Sequence, residues 1–253
     1  MYLCILKQKV KIMSNALSYR ILAIILLGIC LNTSHAQQLR PRAVEAGFCA
    51  GPTIGWAAPQ TISYESTGAK IGGYYGLNLD VNLIRTKEVL YLSTGIVLKH
   101  KRFGLSYEHN FTDSLTMLDV RTRITSNYNP IFFSIPTAIK LKTEPFSDFT
   151  IFGVLGLEHG FCIAANMDEE ITRLDSTGLE VNIMSSERVV LLQESIFAVL
   201  GMEYILFNRT KATFGIAYSY GLNSIFRRKQ NNLNGDRVIA NIHTIEFQFG
   251  FIF

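Results

Sequence analysis

The sequence predicts an all-β fold, an eight-stranded antiparallel up-and-down transmembrane β-barrel with short periplasmic turns and long extracellular loops. Three observations predict it. The last ten residues, 244–253, place Ile245, Phe247, Phe249, Phe251 and Phe253 on one face and Thr244, Glu246, Gln248 and Gly250 on the other. A bulky apolar row that ends the chain suits a strand whose outer face meets lipid and whose inner face lines a polar lumen. A soluble sandwich would need a second sheet to cover that row. Similar alternation over roughly ten residues, the length of a tilted membrane strand, recurs along the chain with no sustained helical period. Short and long connections alternate between these segments, which is the layout of a membrane barrel.

The elements follow in order. The first strand, near 44–56, turns Val44, Ala46, Phe48 and Ile54 outward and Glu45, Cys49 and Thr53 inward among glycines. The second, near 72–84, exposes Tyr75, Leu77, Leu79, Val81 and Leu83 and hides Asn78, Asp80 and Asn82. The third, near 89–100, sends Leu90, Leu92, Ile96 and Leu98 out and Ser93 and Lys99 in. The fourth, near 131–142, sends Ile131, Phe133, Ile135, Ile139 and Leu141 out and Ser134, Lys140 and Lys142 in. The fifth, near 149–161, alternates less cleanly, with Glu158 inward. The sixth, near 193–206, points Ile196, Leu200, Met202 and Tyr204 out and Ser195 and Glu203 in. The seventh, near 212–220, is regular, with Phe214, Ile216, Tyr218 and Tyr220 outward. Turns at 86–88, 143–147 and 208–210 are short, and loops at 57–71, 101–130, 163–192 and 221–241 are long.

The N-terminus agrees with export. Lys7, Lys9, Lys11 and Arg20 precede an apolar run at 21–31, and Ser34 and Ala36 supply the small residues of a cleavage site. We expect residues 1–36 to be a signal peptide cleaved after Ala36, 37–43 a short periplasmic segment and 44–253 the outer-membrane barrel. Met13 is an alternative start. A retained anchor would need about 20 apolar residues, and a lipoprotein signal ending at Cys30 would follow an unfavourably bulky Ile29. Without the signal the chain has 24 − 4 = 20 basic and 20 acidic residues. That neutrality gives no footing for nucleic acid. Cys49 and Cys162 remain, too far apart in sequence for a zinc motif and too few for a disulfide scaffold.

The inward charges are Glu45, Asp80, Glu158, Glu203 and Glu246 with Lys99, Lys140 and Lys142. An eight-stranded barrel is just filled by side chains, so these charges are expected to pair and plug it, with a gated ion path as the alternative. Pro136 either marks a bulge that re-aims Lys140 into the lumen or is a tolerated irregularity near the rim. No catalysis is expected. A lipid-modifying hydrolase on such a barrel would need Ser beside His. None of His100, His109, His159 and His243 has Ser two residues on, and Glu158 and His159, being adjacent, face opposite sides. No phosphate loop, metal spacing or nucleophile elbow is present, and no cofactor is predicted. Candidate loop-binding residues are Arg227, Arg228, Lys229 and Arg237. Lys101, Arg102, Arg121 and Arg123 flank the second loop and suit lipopolysaccharide phosphates. Asp168, Glu169, Glu170 and Asp175 in the third loop suit divalent ions or basic partners.

The segment Phe133-Ser134-Ile135-Pro136-Thr137-Ala138-Ile139-Lys140 resembles the aromatic-polar-Ile-Pro-apolar-Lys strand of the PorT-like outer-membrane barrels of Bacteroidetes. The Gly-rich first strand, with Gly51 and Gly55, and the aromatic C-terminus fit the same family. Ser134 stands where that family often has Glu, and Thr137 where it often has a larger apolar residue. The resemblance spans 44–253 and implies a structural or interaction role in the outer membrane, accessory to type IX protein secretion, with secretion-system proteins as partners. It transfers no site residues. Alternative readings are a barrel that binds or modifies lipid A or lipopolysaccharide, and a narrow channel. Outer-membrane lipid is an expected partner in every case, as is the barrel assembly machinery acting on the strand that ends at Phe253.

Overall fold

The computed structural model describes residues 42–84, 87–112, 119–173, 183–184, 189–207, 210–226 and 238–253. The expected signal peptide, Thr86, Asp175, the Asn208–Arg209 turn and the loop candidates Arg227, Arg228, Lys229 and Arg237 lie outside them. The described chain is antiparallel β throughout: β1 (Val44–Pro59), β2 (Tyr64–Ser66), β3 (Lys70–Asn82), β4 (Leu90–His100), β5 (Phe103–Thr112), β6 (Asp119–Lys142), β7 (Phe149–Arg173), β8 (Ile183–Met184), β9 (Leu192–Phe207), β10 (Thr210–Gly221) and β11 (Ala240–Ile252).

Eight of these strands close a ring in the order β1-β3-β4-β6-β7-β9-β10-β11. The first and last strands seal it, from Gly47 opposite Ile252 to Pro59 opposite Ala240, and β6 pairs β7 on the far wall. Closure leaves no edge, as hydrocarbon demands of backbone amides. The outer face carries the predicted apolar rows, among them Phe48, Leu77, Ile96, Ile139, Leu200, Ile216 and Phe251, and on the fifth spanning strand Leu155, all exposed. Aromatic groups bound this belt. On the side of the chain ends, Phe48 packs on Phe251 and Phe253, and Phe149 on Tyr204. On the other side, Trp56 stacks on His243, whose Nδ1 lies 2.7 Å from the Tyr218 hydroxyl. From His243 to Phe253 is 253 − 243 = 10 residues. At about 3.3 Å per residue and a tilt of about 40° this spans about 25 Å, the height of a membrane barrel's apolar band. The architecture is that of a transmembrane barrel.

Two long loops of the sequence reading are strands instead. The 101–130 region forms β5 and the upper half of β6, and the 163–192 region extends β7 to Arg173. Strands β4 and β5 run along β6 in one continuous register, from Leu90 opposite Leu141 to Thr112 opposite Asp119. A membrane crossing takes about 10 residues; β6 has 24 and β7 has 25. The surplus stands beyond the belt as a five-stranded sheet, β2-β5-β6-β7-β8, which we call the crown. Phe103, Leu105, Tyr107, Ile124, Tyr128 and Met167 line its buried face, and Arg123, Thr125 and Asn127 alternate with them. That alternation is the ordinary strand pattern; a reading that ends each strand at membrane length stops short of it.

Pro136 causes no bulge. The β4–β6 ladder is open opposite Ile135 and Pro136 and resumes in the same register, with the Thr94 hydroxyl donating to the Pro136 carbonyl at 2.9 Å. Lys140 faces the lumen by plain alternation with Ser134 and Ala138. The bulge lies on β7, where Ile163 is passed over between Cys162 and Ala164. It switches the inward set of β7 from Glu158 to Met167 and Glu169.

The β6–β7 turn is a two-residue hairpin closed by the amides and carbonyls of Phe146 and Phe149. Ser147 sits there at φ 57°, a left-handed conformation in which its Cβ is crowded. Ser147→Gly is therefore expected to stabilise the barrel by about 1 kcal/mol. A higher urea midpoint at unchanged slope would confirm it; a lower midpoint would mean that the serine side chain holds the turn.

Candidate functional site

The lumen holds the predicted charges and brings them together in two tiers. The tier near the chain ends is built on Glu203, which is 1% exposed. The Lys140 ammonium lies 2.8 Å from Glu203 and 2.8 Å from Asp80. Lys142 lies 2.6 Å from Glu45 and 3.0 Å from Glu203. Lys211 completes the set at 2.7 Å from Glu45 and 3.5 Å from Glu203. The tier nearer the crown pairs Lys99 with Glu158 and, at 2.6 Å, with Glu246. Lys101 lies 3.5 Å from Glu158 and 3.3 Å from the Gln193 side-chain carbonyl. Ser134 donates to Glu158 and Ser93 to Asp80.

Two members were missed in the sequence. Lys211 was not singled out, and Lys101 was placed on a loop flank, whereas it is buried inside. Their inclusion balances the lumen. The sequence reading had five carboxylates against three ammonium groups; with Lys101 and Lys211 it is five against five among the described residues. The signal for Lys101 was available, because it keeps the odd-numbered parity of Lys99 across the β4–β5 junction. Taken together, the tiers draw one charged side chain or more from each of the eight ring strands.

Apolar packing supports the ammonium groups. Lys140 stands 4.5 Å from the centroid of the Phe152 ring, Lys142 4.3 Å from Tyr91, Lys101 5.2 Å from Phe132 and Lys99 5.8 Å from Tyr74. A cation over a ring face is held by the ring's quadrupole, more strongly where water is excluded. Gly201 makes room for one of these rings: a Cβ there would stand 2.4 Å from Phe152 Cζ. Between the tiers lies a cavity of about 90 Å³ lined by Cys49, Tyr74, Asn78, Lys99, Glu246 and Gln248. Above the tiers the lumen ends in an apolar cap, where Phe103, Tyr128 and Phe132 pack with Ile225, Phe226, Val238 and Ile242. The rings of Phe103 and Tyr128 stack at 5.0 Å, and Phe226 meets Tyr128 edge-on at 5.1 Å.

The other sequence candidates are dispersed. Arg102 and Arg123 are exposed and bond Asn129 and Glu108. Glu169 faces the buried side of the crown, where its carboxylate accepts from Ser126; Asp168 is on the exposed side. His159 and His243 both face outward, and His159 has a partner that sequence reasoning missed, Glu194, at 2.6 Å. Among the described residues no group of three or more metal-ligating side chains occurs.

No family model and no curated protein matches the chain. Among solved structures it is similar to Neisserial surface protein A, at 10% identity and a TM-score of 0.40 over 83% of this chain and 96% of that one. It is similar to the Pseudomonas aeruginosa outer membrane protein OprG, at 13% identity and 0.36 over 84% and 97%. It is also similar to the Escherichia coli outer membrane protease OmpT, at 8% identity and 0.41 over 87% and 99%. The barrel assignment rests on the chain's own closed ladder, apolar belt and polar, charge-balanced lumen.

Proposed function

We propose that the protein is a non-enzymatic outer-membrane barrel whose work is done by the crown, as a docking platform for a protein partner at the cell surface. The observation that supports this reading is a five-stranded sheet standing on a lumen that is crossed by two balanced tiers of ion pairs and capped. Such a barrel is a rigid anchor, and binding on barrels is concentrated in the segments beyond the membrane. The narrow-channel alternative would require both tiers and the cap to part. Accessory work in type IX secretion is the specific form of the proposal. It rests on the resemblance of the 133–140 strand to PorT-like barrels, as does the expectation of secretion-system partners. Lipopolysaccharide contact by Arg102 and Arg123 is compatible with it, since both side chains are exposed.

Deleting the gene and profiling surface and secreted proteins by mass spectrometry tests this. We expect selective loss of exported cargo, restored by the full chain. A variant in which 104–127 is replaced by a short turn should assemble in the membrane and fail to restore export. An unchanged profile on deletion would sink the secretion reading, and rescue by the shortened variant would sink the crown as the docking element.

A further inference from the structure

Near its crown end the outer belt carries an ionisable pair. His159 on β7 and Glu194 on β9 are direct cross-strand partners, joined by a 2.6 Å contact from His159 Nδ1 to a Glu194 oxygen. Their side chains are 39% and 33% exposed on the outer wall. Apolar residues frame them: Leu157 and Ile196 toward the chain-end rim, Phe161 and Leu192 toward the crown, Ile135 across on β6 and Leu222 beside Glu194 at the end of β10. Asn223 fixes the acid from behind, its side-chain oxygen accepting from the Glu194 amide and its nitrogen donating to the Leu192 carbonyl.

This pair has hydrogen-bonding capacity left over. In the tautomer whose Nδ1–H donates to the carboxylate, Nε2 of an uncharged ring is an acceptor, and the second Glu194 oxygen is another. Among the described residues neither has a protein partner. Acyl chains cannot satisfy them, and polar groups that face lipid are expensive unless they meet a partner. Two acceptors a few ångströms apart call for a ligand with two donors that itself lives in the upper acyl layer. We infer that His159 and Glu194 form a lateral binding site for an outer-leaflet lipid whose hydroxylated N-acyl region offers an O–H and an N–H. The ring and carboxylate take the two donors, and the apolar frame takes the chain. The pair's outward neighbours on β7 and β9 are aliphatic or phenyl.

The test uses the whole barrel reconstituted in phospholipid nanodiscs with equal traces of a hydroxylated N-acyl lipid and its deoxy analogue. Native mass spectrometry then counts the lipids retained after mild delipidation. We expect about tenfold preference for the hydroxylated lipid, the effect of one hydrogen bond to a charged group. The double variant H159L/E194L should lose the preference while keeping heat-modifiable migration, the sign of a closed barrel. If the double variant does not fold, Glu194→Gln alone should reduce the preference, because its amide nitrogen replaces an acceptor with a donor. Equal retention of the two lipids by the native barrel would overturn the inference. So would a preference unchanged in a folded variant.

Discussion

Glu203→Ala is expected to cost about 3–5 kcal/mol of barrel stability, the largest effect of any single substitution in the lumen. Glu203 is shared by Lys140, Lys142 and Lys211, all three drawn from the opposite or neighbouring wall. Its removal leaves three ammonium groups facing Glu45, Asp80 and, at 3.9 Å from Lys211, the rim carboxylate of Glu88, in a space too narrow to hydrate them freely. The loss is measured as a lowered denaturant midpoint in micelles or bilayers. The arrangement makes a second, sharper demand. Replacing Glu203 and Lys142 together by Leu and Met should cost less than Glu203→Ala, because a buried pair removed whole leaves one less uncompensated charge. If the double variant were the less stable of the two, the tier would be acting through packing rather than charge balance.

Phe103→Ala is expected to cost about 3–5 kcal/mol in the crown while leaving the belt-spanning ring intact. Phe103 is fully buried, stacked on Tyr128 and in edge contact with Phe226. The ring it removes belongs to the cap and not to either tier, whose ion pairs, Lys101–Glu158 apart, stay within the spanning strands. Hydrogen exchange is the measurement. Amides of β5 and of the upper half of β6 should exchange faster by orders of magnitude, and those of β1, β10 and β11 should keep their protection. Uniform acceleration across both sets would show that cap and barrel unfold as one unit.

The membrane-spanning half of this protein was legible because its chemistry is periodic. Lipid outside and a polar lumen inside impose opposite demands on successive residues. Glu45, Asp80, Lys99, Lys140, Lys142, Glu158, Glu203 and Glu246 could all be assigned inward from parity alone, and all are inside. Lys101 and Lys211 escaped because each sits at a strand end, where parity is easily abandoned for a loop or turn. The crown escaped for a related reason. Its strands continue those of the barrel in register, so no boundary residue separates spanning from projecting segments. Only Ile163 marks a change, and a one-residue bulge cannot be distinguished from a weak alternation in a single strand.

The sequence by itself determined the number of ring strands, the face of most spanning residues and the polar, ionisable character of the lumen, because these follow from a period of two against lipid. Tertiary structure alone decided which charges meet. Partners such as Lys142 with Glu45 and Lys99 with Glu246 stand 97 and 147 residues apart in sequence. They become neighbours only when the ring closes and fixes the stagger of its strands. The same closure set His159 beside Glu194 across β7 and β9. It also folded the segments around Ile225 and Val238 onto Phe103 and Tyr128 as a cap, because an apolar crown face standing clear of the membrane has no lipid to cover it.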